Sequence, residues 1–217
     1  TRHPLVTKSP FFNYTYMKIV LPENSKDITL YQYQKYVELL KRNDLDAFQF
    51  EQRKIQIFTG LKPNETIPQT DRKEILEQIE LAINTPADFV QTFKMADIEF
   101  GFVPNLDKIT AGEYFDLCKY GTEVETLNNL MAILFRPIDK KDKFGNYTIQ
   151  DYKGTSDWAE AMKLTPMNVV NGALFFFLNL STELTTYTLN LTEKEQAREQ
   201  AQNDSLQSGD GMLPLTN

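Results

Sequence analysis

The sequence predicts an α+β fold, mainly helical, with one or two β-hairpins and a long C-terminal helix. Three observations predict it. Ser, Thr or Asp residues repeatedly precede apolar residues spaced three and four apart, the spacing of one helix face. Between Asp88 and Val103 the period drops to two, as in a half-buried strand. After Thr165-Pro166 an apolar stripe runs on to Leu191.

Taken in order, Lys18 to Leu21 reads as a short strand ended by Pro22. Thr29-Leu30-Tyr31-Gln32 has the form of a capping box, in which hydroxyl and amide satisfy orphan N–H groups at a helix start. Leu30, Tyr33, Val37 and Leu40 share a face of that helix. A second helix spans Asp46 to Thr59, stopped by Gly60. A third covers Asp71 to Ile83, with Ile75, Leu76, Ile79, Ala82 and Ile83 on one side, and Thr85-Pro86 ends it. Asp88 to Val103 is a hairpin turning at Met95-Ala96-Asp97. Its candidate buried positions are Phe89, Phe93, Ile98, Phe100 and Phe102. Thr110-Ala111-Gly112-Glu113 caps a helix to about Tyr120. Thr122-Glu123-Val124-Glu125 caps another through Leu127, Leu130, Met131 and Leu134, ended near Pro137. A second hairpin turns at Gly145, where glycine permits positive φ, and returns through Asn146 to Tyr152. Ser156 or Asp157 caps a small helix bearing Trp158 and Met162. Thr165 and Pro166 occupy the N-cap and N1 positions of the longest helix, whose run GALFFFL at 172–178 is buried.

The organisation read from these elements is an N-terminal arm or extension at 1–16, one globular domain at 17–191 and a polar tail, partly disordered, at 192–217. Met17 reads as a natural start for the short strand, turn and capped helix of residues 17–40. The chain has 217 residues, 41% of them hydrophobic and 24% charged, which excludes disorder along its whole length. A single cysteine, Cys118, excludes a disulfide framework; it reads as a small buried hydrophobe on the Thr110 helix. The net charge of −7 argues against broad attraction to a phosphate backbone. No segment approaches the ~20 apolar residues of a membrane span. Six Asn-x-Ser/Thr sequons, at Asn13, Asn64, Asn146, Asn179, Asn190 and Asn203, read as chance in a chain rich in Asn and Thr.

The chemistry-bearing residues are sparse. The one histidine, His3, lies in the N-terminal stretch, so the usual tetrahedral zinc sets and imidazole-based nucleophile systems lack their parts. Neither GxGxxG nor GxxxxGK[ST] occurs. Asp139, Asp142 and Asp151 flank the second hairpin but are interleaved with lysines, and Asp97, Glu99 and Asp107 read as turn, polar-face and helix-start charges. The expectation is no catalytic residue, no cofactor, no metal and no enzymatic activity. Lys140, Lys141 and Lys143 beside Phe144, Tyr147 and Tyr152 carry a weaker argument for single-stranded nucleic acid. Partner binding has the stronger signal. Phe11, Phe12, Tyr14 and Tyr16 cluster in the arm, and Met212, Leu213, Pro214 and Leu215 end the tail. Aromatics are enriched in interface centres, and polar termini of this kind order on a neighbour. These eight are the candidate partner contacts.

Three stretches then carry a resemblance: EFGFVPNLDKITAGEYFDL at 99–117; NLMAILFRPI at 129–138 with YTIQDYKG at 147–154; and TPMNVVNGALFFFLNLSTEL at 165–184. With the opening MKIVLPENSKDITLYQYQKYVELL at 17–40, they resemble a family of small structural or assembly proteins of tailed bacteriophages, crAss-like phages included. The stretch LCKYGTEVETL departs from that pattern by lacking a tryptophan. The resemblance implies a virion structural protein, in the head-to-tail region or internal, assembled in the bacterial host cytoplasm with other phage structural proteins. It implies no catalytic motif. A tail-assembly chaperone that leaves the mature particle is the alternative within that family, and a single-stranded nucleic-acid-binding protein the alternative outside it.

Overall fold

The computed structural model describes residues 4–7, 17–65, 67–105, 109–121 and 123–178. The chain divides into two units, 1–173 and 174–217, and the sheet and its packed helices belong to the first. The elements are β1 (Pro4–Thr7), β2 (Met17–Val20), a 3₁₀ turn (Ser25–Asp27), α1 (Leu30–Leu40), α2 (Ala47–Thr59) and α3 (Gln69–Ile83). There follow β3 (Thr92–Met95), β4 (Ile98–Phe102), α4 (Ala111–Tyr120), a 3₁₀ turn (Val124–Thr126) and α5 (Leu127–Leu134). β5 (Phe135–Lys141), β6 (Tyr147–Ile149), α6 (Ala159–Met162) and a helix from 167, α7, complete the order. The fold is α+β and mainly helical. Two hairpins, β3–β4 and β5–β6, join as one antiparallel sheet of order β3-β4-β5-β6. β1 pairs antiparallel with β2, Pro4 opposite Val20 and Thr7 opposite Met17, so residues 4–7 are held by the strand that Met17 opens. α7 is helical from 167 to 178; the expected continuation to Leu191 lies outside the described residues, as do His3 and the tail at 192–217.

Local chemistry accounts for the element starts. Thr29, Asp46 and Thr110 each accept from the N3 backbone N–H of α1, α2 and α4, while the side chains of Gln32, Gln49 and Glu113 accept from the cap's own N–H. Each box satisfies two donors that a helix leaves orphaned. Gly60 ends α2 at φ 72°, a left-handed cap that costs glycine nothing. The first turn of α1 is sealed further by tertiary contact. Leu30 N donates to the Thr165 carbonyl at 2.9 Å, Tyr31 N to that of Lys163 at 2.8 Å, and Met167 N to that of Ile28 at 2.8 Å.

The aromatic face of the sheet forms one part of the core, and Ile28, Leu30, Ile55, Ile75 and Ile79 around α1, α2 and α3 form another. Phe93 stacks on Phe100 at 5.5 Å, Phe135 meets Phe93 and Phe102 edge-on at 5.2 and 5.3 Å, and Trp158 meets Phe100 at 5.3 Å. Such pairs add ~0.5–1.5 kcal/mol each beyond their burial. α5 is buried on nearly every side: Leu127, Leu130, Met131, Ala132, Ile133 and Leu134 are all inside. A buried polar line crosses the same layer. Gln34 Nε2 donates to the carbonyls of Val124 and Glu125 at 2.9 and 3.1 Å, and Asn128 Nδ2 donates to the Ala159 carbonyl at 3.1 Å.

Several expectations are corrected. α1 buries Leu30, Gln34 and Leu39, and Leu40 is exposed, because the Gln34 amide is needed to satisfy carbonyls and turns the helix. Phe89 and Ile98 are partly exposed at the hairpin's ends, although Phe89 still meets Phe102 edge-on at 4.9 Å. α5 ends at Leu134, and Pro137 sits inside the strand after it. The returning strand covers only Tyr147–Ile149. Trp158 occupies the cap position of α6, with no side-chain cap bond from Ser156 or Asp157. Thr165 is buried rather than capping, its hydroxyl 3.3 Å from Met162 Sδ. In the run 172–178, Gly172 and Ala173 are buried but Phe175 and Leu178 are exposed. Thr122, the expected cap before α5, lies outside the described residues.

Candidate functional site

The eight candidate partner contacts, Phe11, Phe12, Tyr14, Tyr16, Met212, Leu213, Pro214 and Leu215, lie outside the described residues. Four regions of the described surface stand out, and of these the sequence proposed a binding role only for the last, the basic hairpin.

The first is a groove of about 1080 Å³ between α2 and α3, with Phe48, Phe50, Leu76 and Leu81 in its lining. Phe48 and Leu81 are 58% and 66% exposed. Its buried cations are already engaged, and Lys73 is exposed. Buried Arg72 donates to Gln52 Oε1 at 2.7 Å, to the Phe48 carbonyl at 3.1 Å and to Glu51 at 3.2 Å, under the Phe48 ring. Buried Lys54 pairs with Glu80 and lies over the Tyr36 ring. Glu77, by contrast, is reached only loosely, by Lys73 at 3.8 Å, and both are exposed. Asp46 faces outward as the cap of α2.

The second is a polar cleft of about 380 Å³ beside β5, lined among others by Arg136, Asp139, Tyr152, Asp157 and Trp158. Arg136 is buried and pairs with buried Glu113 of α4 at 2.7 Å, while its Nε–H has no acceptor. The Tyr152 hydroxyl donates to Asp116 at 2.5 Å. Burial, and then the Asp116 carboxylate, push that phenol well above its ordinary value. Arg136 and Tyr152 are engaged by Glu113 and Asp116, while Asp139 and Asp157 are exposed. No group of three or more His, Cys, Asp or Glu among the described residues is placed to hold a metal ion. Asp97 is exposed in its turn, Glu99 pairs with Lys141 at 2.6 Å, and Asp107 lies outside the described residues.

The third is the outer face of α4, where Tyr114 and Phe115 are exposed together with Cys118. The sequence buries Cys118; the structure corrects this. α4 turns Glu113 and Leu117 inward, since Arg136 requires the carboxylate, and Cys118 falls outside.

The fourth is the β5–β6 hairpin tip. Asp142 Oδ1 accepts from the backbone N–H of Phe144 and Asn146 at 2.8 and 2.9 Å, and its Oδ2 accepts from Asn146 Nδ2 at 2.8 Å. The Asn146 side-chain bond, the largest of these influences, and the backbone N–H groups hold the Asp142 carboxyl below its usual range. Gly145 completes the turn at φ 90°. The result is an ordered loop with Phe144 79% exposed. Of the six residues that suggested a nucleic-acid cradle, Lys141 is paired with Glu99, Tyr152 with Asp116, and Tyr147 lies on Gly101 with its hydroxyl donating to the Phe102 carbonyl at 2.8 Å. Lys140, Lys143 and Phe144 remain.

No described helix is long and apolar enough to cross a membrane. Compared with protein-family models, curated proteins and solved structures, the chain matches none.

Proposed function

We propose that this chain is a non-enzymatic structural component of a tailed-phage particle, in its head-to-tail region or interior, acting through contacts with other structural proteins. The phage setting comes from the resemblance carried by residues 99–117, 129–154 and 165–184. The observation that supports the mode of action is a division of labour among side chains. Buried ionisable groups are matched to partners within the chain: Arg136 to buried Glu113, and Arg72 to half-exposed Glu51. Large apolar side chains such as Phe48, Leu81, Tyr114, Phe115 and Phe144 are left on the surface. Exposed apolar groups of this size mark interaction surfaces when they lie together. The chain would assemble into the virion in the host cytoplasm. Mass spectrometry of purified particles tests the reading: the protein is expected at a fixed ratio to the other structural subunits. Its absence from particles, with retention in infected-cell lysates, would favour instead a tail-assembly chaperone, a role that the open α2/α3 groove suits.

A further inference from the structure

We draw no further inference here: the strongest candidate, the groove between α2 and α3 with Phe48 and Leu81 exposed in its lining, carries none, because exposed Lys73 and Glu77 line it together and nothing in the structure shows what covers it.

Discussion

Arg136 and Glu113 show how a single buried pair organises this protein. Their side chains are only 10% and 5% exposed, so water does little to solvate either charge. Removing one partner strands the other, at a cost of about 3–5 kcal/mol. Replacing both with apolar groups removes the charges together and also the unpaired Arg136 Nε–H. Arg136→Met alone should therefore lower stability by that amount, and Arg136→Met with Glu113→Leu should recover only part of it, as read from urea midpoints, because Glu113 also accepts from the Thr110 N–H at the start of α4. Tyr152 packs beside this pair, the Arg136 guanidinium 5.7 Å from its ring centre. Its phenol is pushed up first by burial and then by Asp116. Folding thus favours the protonated form. The stabilisation is complete below the ordinary phenol value near 10 and is lost as pH rises through the raised folded value. Wild type should lose stability above about pH 10, and Tyr152→Phe should flatten that loss. Denaturation series between about pH 9 and pH 11 check it, and an unchanged slope in the variant would refute the assignment.

Among the elements, α4 shows why an apolar stripe can mislead. Tyr114, Phe115 and Cys118 stand one and four apart, and by hydrophobicity alone they form the inner face. The structure turns Glu113 and Leu117 inward instead. A buried arginine on β5 decides this, and no periodicity within α4 announces it. Gln34 does the same to α1 by reaching the carbonyls of Val124 and Glu125. In α7, Gly172 marks a close approach: a Cβ there would meet the backbone carbonyl of Asp88 and the Cα of Phe89. Gly172→Ala gains about 1 kcal/mol of helix propensity. It must also displace backbone rather than a flexible side chain, and such overpacking typically costs about 1–3 kcal/mol. The net effect is expected to be destabilising, against the propensity trend, with thermal unfolding as the measurement. A stabilised variant would show that the 88–89 segment yields freely.

Across the whole molecule, the −7 charge and the exposed aromatics pull in opposite directions. General repulsion keeps copies apart, whereas the exposed aromatics favour contact with other surfaces. The sequence by itself determined the fold class, the starts of α1, α2 and α4, the two hairpin turns at Ala96-Asp97 and Gly145, and the aromatic inner face around Phe93, Phe100 and Phe102. These depend on contacts within a few residues: a cap to its N3 amide, a glycine at positive φ, an alternation along a strand. Tertiary structure alone decided which apolar residues stay outside, that Lys141, Tyr147 and Tyr152 are drawn away from the basic hairpin, and that Phe48 and Leu81 edge a groove. Those outcomes depend on partners far along the chain, such as Glu99 for Lys141 and Asp116 for Tyr152. A one-dimensional pattern records how polar a residue is, but not which distant group will satisfy it.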